Sequence, residues 1–312
     1  PILNDEGIYV DGAMPERNLD YIFTYGKEKI KTKKFEWQTQ LNLATNNNRL
    51  LALGEGAERL LSYGERSEVY VAQVGGPAIQ YYGYSTDGVW TSQEEIDAFL
   101  AGRPATEVFL VGKTVVPGTL KVEDNDKNGI IDAYDRVPLG SPFPTLTWGM
   151  TNTFTFHGFD ISFMLQGVAG VTVLNGDGYY QETKKINKAY TTNRFISADY
   201  PGDGKTPTFA NANGMQWELT DYLLQNASYA ALKDVTIGYR FNKKQLRPIH
   251  LNTIRLYFSA QNLLYIWNKD YKGINPEARY TNNQYSSPLV DGYQRGGFPI
   301  QRTFTFGLEI GF

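Results

Sequence analysis

Phe304, Phe306, Leu308, Ile310 and Phe312 occupy every second position at the end of the chain, with Thr303, Thr305, Gly307, Glu309 and Gly311 between them. A period of two gives a strand one apolar and one polar face, whereas a helix would scatter the same residues around its axis. About ten residues is also the length a tilted strand needs to cross the hydrocarbon core of a bilayer. A water-soluble sandwich can carry such a strand too, so this segment alone does not choose between them.

The rhythm recurs upstream. Leu19, Tyr21, Phe23 and Tyr25 alternate weakly up to about Gly26. Phe35, Trp37, Leu41 and Leu43 then share a row, with Thr39 among them and Glu36, Gln38, Gln40 and Asn42 opposite. Asn46-Asn47-Asn48 predicts a tight turn, because Asn accepts the left-handed region, and Arg49 to Leu53 predicts a returning strand. Leu146, Trp148, Met150, Phe154 and Phe156 lead into His157-Gly158 and back through Phe159, Ile161, Phe163 and Leu165, a hairpin with a very short connection. Val235, Ile237 and Tyr239 make a row that Lys233 interrupts; a lysine there is expected at a membrane boundary, snorkelling toward water. Ile254, Leu256, Phe258 and Ala260 form the next row.

Seven or eight strands result, joined by short connections at 46–48, 157–158 and 242–250 and long ones at 55–144, 176–226 and 266–301. That alternation is the signature of an all-β transmembrane antiparallel barrel with short periplasmic turns and long extracellular loops. Glu36, Asp160, Arg255 and Glu309 all fall on the polar row. Toward lipid at mid-depth a basic residue would cost roughly 2 to 4 kcal/mol. Trp37, Trp148 and the many tyrosines suit interfacial girdles, and equally suit ordinary strands.

Composition narrows the classes further. No window approaches eighteen consecutive apolar residues, which excludes a membrane helix but not a barrel. A formal net charge of −3 offers no basic face for nucleic acid. With no Cys there is neither a disulfide framework nor a thiolate metal site. His157 and His250, the only histidines, have no motif-spaced nucleophile or metal partner, so no enzyme is expected. Glu94-Glu95 after Thr91-Ser92 reads as a helix start, and Gly202-Asp203-Gly204-Lys205-Thr206 lacks the strand and helix a phosphate loop needs. Pro1-Ile2-Leu3-Asn4-Asp5 carries no basic start followed by an apolar core, so the chain is expected to be the tail of a longer protein.

One motif in the longest connection carries chemistry. From Asp124 to Asp135, oxygen side chains stand at loop positions one, three and five (Asp124, Asp126, Asn128), with Gly129 next, the Ile130 carbonyl after it, then Asp132 and finally Asp135. Alternate residues of such a tight loop point inward around a hard cation, and oxygen-only ligands favour Ca2+. The last position is Asp, shorter than the usual Glu, and strand signals replace flanking helices. The bland alternative is a solvated Asp/Asn-rich turn; a bound ion would stiffen the loop rather than catalyse.

Several stretches in order resemble the SusC/RagA family of TonB-dependent outer-membrane transporters. They are Tyr81-Tyr82-Gly83-Tyr84, Asp87-Gly88-Val89-Trp90, Gln93-Glu94-Glu95-Ile96, the cation loop, and Asp135-Arg136-Val137-Pro138-Leu139-Gly140-Ser141-Pro142-Phe143-Pro144. Gly158-Phe159-Asp160-Ile161-Ser162, Leu232-Lys233-Asp234-Val235-Thr236-Ile237-Gly238-Tyr239, Ser259-Ala260-Gln261-Asn262-Leu263 and Pro299-Ile300-Gln301-Arg302-Thr303-Phe304 complete the series. The resemblance implies the carboxyl-terminal strands of a barrel of twenty-two, with the plug and the TonB-contacting segment outside this chain. It also implies a SusD-like lipoprotein lid, import of oligosaccharides or peptides, and a location in the outer membrane among its lipids. Phe312 would be the signal read by the barrel-assembly machinery. Tyr81, Tyr82, Tyr84 and Trp90 are the candidate sugar-stacking rings, unless they pack the loop's own core. The competing readings are a SusC-like structural subunit of an envelope complex, a free-standing small barrel or adhesin, and a soluble calcium-stabilised carbohydrate-binding module.

Overall fold

The computed structural model describes residues 14–18, 22–31, 34–64, 69–176, 193–208, 214–215, 218–278, 291–294 and 297–311. Seven strands make one antiparallel sheet: β1 Ile22–Lys31, β2 Phe35–Thr45, β3 Leu146–Phe156, β4 Phe159–Ala169, β5 Tyr229–Arg240, β6 Thr253–Trp267 and β7 Thr303–Gly311. Each bonds to its neighbours in this order, an up-and-down meander that does not close on itself. The alternation at 19–25 lies only partly within the described residues; β1 runs on past Gly26 to Lys31, with a register shift between Tyr25 and Glu28. Phe312, the expected assembly signal, lies outside them.

Residues 46–48 are not the expected hairpin turn. Asn47–Ala52 pairs with Met14–Asn18 instead, while the free edge of β2 is taken by β3, a hundred residues later. The reason is register: β3 matches β2 over all eleven residues, setting Trp37 opposite Phe154, Leu41 opposite Met150 and Leu43 opposite Trp148. A six-residue strand beginning Asn-Asn-Arg cannot supply that row. At that point of the wall β1 ends at Lys31 and β2 begins at Phe35. Short and long connections still alternate, so 46–145, 170–228 and 268–302 all leave the same end of the sheet.

Cross-strand register aligns the apolar rows across the wall. Phe35, Phe156, Phe159, Tyr239, Leu256 and Leu308 are successive partners, as are Trp37, Phe154, Ile161, Ile237, Phe258 and Phe306. This face is uncovered by protein: Phe306 is 83% exposed, Ile266 65% and Leu308 57%. So large an apolar surface is untenable in water and suits lipid. A polar step in it, Thr39 opposite Asn152, is partly satisfied within the sheet, since Trp37 Nε1 donates to Asn152 Oδ1 at 3.0 Å. At the short-turn end a belt of rings follows the boundary, with Phe156 on His157 at 4.2 Å, Phe159 on Tyr239 at 4.8 Å and Tyr239 on Phe241 at 5.0 Å.

Lys233 does not snorkel. The ladders of β5 with both neighbours shift register between Leu232 and Asp234, and this irregularity re-aims Lys233 to the polar face. There its Nζ meets both carboxylate oxygens of Glu277 at 2.9 Å and the Tyr265 hydroxyl at 2.6 Å. Nearer the short turns, Arg255 donates to Asp160 from Nε at 3.1 Å and Nη2 at 2.5 Å, and to Glu309 from Nη1 at 2.9 Å. The bridge spans β4 to β7 and crosses Gly238 on β5, where any Cβ would lie 2.6 Å from Asp160 Oδ2 and 2.9 Å from Arg255 Nε.

The long connections carry a core of their own. Tyr84, Trp90, Ile96, Phe109, Leu120 and Ile131 from the first pack with Phe195 and Met215 from the second. Tyr81 packs with Leu174, Leu219 and Tyr293, drawing in the third. Backbone bonds stitch them: Tyr84 N to Leu219 O at 2.9 Å, Val89 N to Gly204 O at 3.0 Å, Leu174 N to Gly292 O at 3.0 Å. Gly83 is obligatory, because a Cβ there would sit 2.2 Å from Leu219 O. The helix Gln93–Leu100 begins as its sequence predicts, with Ser92 Oγ accepting from Glu95 N.

Replacing Phe163 by Arg on the apolar face is expected to destabilise the membrane-inserted protein by about 2 to 4 kcal/mol, and Ser162→Arg on the polar face by less than about 1 kcal/mol, in denaturant titrations in lipid vesicles. Trp90→Ala is expected to cost the body formed by the long connections about 3 to 5 kcal/mol, read as faster proteolysis of the loops while the strands stay protected.

Candidate functional site

The loop from Asp124 to Asp135 is built by backbone donors gripping its side chains. Asp124 Oδ2 accepts from Gly129 N at 2.7 Å, Asp126 Oδ1 from Asn128 N at 3.0 Å and Asn128 Oδ1 from Ile130 N at 2.7 Å. Lys127 and Gly129 take positive φ of 60° and 80°, which folds the turn back on itself. Asp135, wholly buried, accepts from Asn125 N and Asp132 N, both at 2.8 Å, so the last position is tied to the second and the ninth. Ile131 is buried in the hydrophobic core beside Val108 and anchors the apolar side.

Carboxylate oxygens of Asp124, Asp126 and Asp135 lie within 4.8 Å of one another. Asp124 Oδ1 is shut away from solvent and has no hydrogen-bond partner. None of the loop's four aspartates takes part in a salt bridge among the described residues. Clustered, partly buried carboxylates without a counter-charge are costly, and a hard cation is the group that fits. Asp132 is placed differently from a direct ligand, since its Oδ1 caps Tyr134 N at 2.7 Å and opens the turn Ala133–Asp135. Asn128 and Ile130 belong to the same wrap; Arg103 Nη2 donates to the neighbouring Gly129 carbonyl.

The candidate stacking rings are in the core. Tyr81 and Tyr84 are fully buried, Trp90 is 2% exposed and Tyr82 7%, so none offers a face to a sugar. Tyr84 lies under the Arg136 guanidinium at 5.3 Å, and burial raises its phenol pKa against that charge. Trp90 lies under Lys121 at 5.2 Å. Lys121 in turn meets Glu95 at 2.9 Å and Asp87 at 3.3 Å. The bond to Glu95 is the main reason the Lys121 pKa is raised. Burial works against charge on Glu95, but donors from Thr91 and Lys121 outweigh it and its pKa falls below the ordinary value. Asp87, Trp90 and Glu95 are therefore one packed corner. Among the described residues, rings that do face solvent in the loops are Tyr63, Tyr134, Tyr200 and Phe298; no periodicity in the sequence separates them from the buried ones.

The Gly202–Thr206 segment is an Asp-centred turn. Asp203 accepts from Lys205 N at 2.9 Å and from Thr206 N at 2.7 Å and Oγ1 at 2.8 Å. Although burial opposes it, these donors hold the Asp203 carboxyl below its usual pKa. On the inner wall, the Lys233–Glu277 pair fixes the third connection against the strands, and Gln294 Nε2 secures that segment through the Ala278 carbonyl at 2.8 Å. Glu277 was invisible as a partner in the sequence because 44 residues separate it from Lys233.

No family model matches the chain. Among curated proteins it is similar to TonB-dependent receptor P3 of Formosa agariphila, 29% identical over 301 residues, 95% of this chain and 28% of the relative. TonB-dependent receptor P26 of the same organism is 28% identical over 311 residues, 95% of this chain and 29% of the relative. TonB-dependent receptor SusC of Bacteroides thetaiotaomicron is 24% identical over 315 residues, 96% of this chain and 27% of the relative. The fold is that of the RagAB peptide importer in its open-open state, TM-score 0.64 at 16% identity, covering 92% of this chain and 28% of that one. A second RagAB peptide transporter structure gives 0.62 at 16% identity, with 92% and 28% covered. The chain thus spans under a third of the length of the relatives it matches. Those relatives are named as receptors rather than enzymes, in line with the absence of a catalytic motif in the sequence. An apolar sheet face turned to lipid, with every long connection at one end, now stands beside these matches: the chain forms part of the wall of an outer-membrane β-barrel and is similar over most of its length to TonB-dependent receptors.

Proposed function

We propose that residues 1–312 form a sector of the wall and outer mouth of a TonB-dependent importer that takes up oligosaccharides or peptides together with a SusD-like surface lipoprotein. The observation that carries this reading is the cross-packing of the three long connections into one body at the extracellular end. A folded rim of that kind is a firm seat for a lid, which loose loops would not be. The polar inner wall, with charges paired across Asp160, Arg255, Glu309, Lys233 and Glu277, suits a hydrated path for a polar solute. Energy coupling would reach it through a TonB-contacting segment and plug elsewhere in the protein.

Ca2+ is the ion this reading assigns to the loop, held by Asp124, Asp126, Asn128, the Ile130 carbonyl and Asp135, with Asp132 closing the turn from behind. Its role is to stiffen the rim. The short carboxylate at the last position argues for a dissociation constant on the order of 10⁻⁴ M, in the range of extracellular modules.

An affinity-tagged full-length protein, extracted in mild detergent, is expected to bring down one surface lipoprotein in near-equal amount, and a strain lacking the gene to stop taking up one glycan or peptide class. A protein that purifies alone, from a strain whose uptake is unchanged by the deletion, would leave the structural-subunit reading in its place. Adding Ca2+ at ten times its dissociation constant is expected to stabilise the extracellular body by about 1.4 kcal/mol. Chelation should remove that gain, and Asp124→Asn with Asp135→Asn should abolish the Ca2+ response. Loop proteolysis with and without chelator measures it.

A further inference from the structure

The short connection between β5 and β6 is basic. Lys243, Lys244 and Arg247 are all exposed and none takes part in a salt bridge among the described residues. No Asp or Glu occurs between Asp234 and Asp270 in the chain, and the nearest acids across the sheet, Asp160 and Glu309, are engaged by Arg255. The connection is ordered, with Asn242 and Gln245 capping the turn Lys243–Leu246 reciprocally and Leu246 buried beneath it. It lies at the end opposite the long connections, which is the periplasmic side.

Directly above it, on the lipid face, is an apolar groove of about 470 Å³. Phe159 and Tyr239 form one corner, Phe258 and Phe306 another, and Leu256 and Leu308 lie between. The same strands, β5 and β6, lead from this groove into the basic turn. An extended hydrocarbon chain fits a ring-flanked trough on a membrane face, and unpaired cations at its mouth complement a negative headgroup.

We propose that this groove and turn form a binding site for an anionic phospholipid of the periplasmic leaflet, its acyl chain in the groove and its phosphate against Lys243, Lys244 and Arg247. Nothing in the import reading requires the site, and it stands on the barrel's membrane orientation alone.

The test uses the full-length protein reconstituted in vesicles of phosphatidylethanolamine with about one lipid in five as phosphatidylglycerol. It is re-extracted in mild detergent, and the lipids retained are counted by mass spectrometry. Retained lipid is expected to be enriched in phosphatidylglycerol at least threefold over the vesicle. Lys243→Gln, Lys244→Gln and Arg247→Gln together should abolish the enrichment, and Leu256→Trp, which fills the groove, should lower the amount retained. The heat-shift of the folded barrel on gels verifies that each variant is folded. No enrichment in the unaltered protein, or enrichment that survives the three Gln substitutions, would overturn the site; enrichment insensitive to Leu256→Trp would overturn the groove as the acyl pocket.

Discussion

Everything in this chain follows from one constraint, that a strand in lipid must bond all its backbone groups to neighbours and turn only apolar side chains outward. The seven strands meet it through register. Each apolar row continues from strand to strand, so that Trp37, Phe154, Ile161, Ile237, Phe258 and Phe306 form a band. A slip of one residue at any ladder would turn a whole strand's apolar set inward and its charges into the bilayer. That penalty fixes the pairing more firmly than any single contact does.

The opposite face obeys a different economy. Its charges need not be excluded, and several pair across strands. Arg255 joins Asp160 and Glu309 across four strands, and the absence of a side chain at Gly238 is what lets the bridge pass. Lys233 reaches that face only because the β5 ladders slip at its position. Both networks tie strands that are distant in sequence, and the Lys233 pair also ties a long connection to the wall.

The alternation legible at the level of single residues gave strand faces, the orientation of the loops and the membrane setting, because period two is imposed locally by lipid. Two expectations failed where non-local pairing decided. Asn46-Asn47-Asn48 has hairpin chemistry, yet β3 outcompetes the nearby strand for β2 since it offers a full matching row. Lys233 falls in an apolar row by counting, and a register irregularity defined by its neighbours removes it. The extracellular body was least legible: buried Tyr81, Tyr84 and Trp90 and exposed Tyr134 and Tyr200 stand in equally irregular sequence, and only the packing of three connections separates them. The acidic loop was legible because its ligand spacing is contained in twelve residues.

The central claim is the assignment of the two faces, and the absence of native cysteine in this chain allows a direct measurement. Spin labels on Val235→Cys and Thr236→Cys, adjacent on β5, can be read in bilayers for collisions with oxygen, which concentrates in lipid, and with a water-soluble nickel chelate. The account predicts that the Val235 label responds mainly to oxygen and the Thr236 label mainly to nickel, or to neither where protein covers it. Equal response of both labels to the nickel chelate would contradict it.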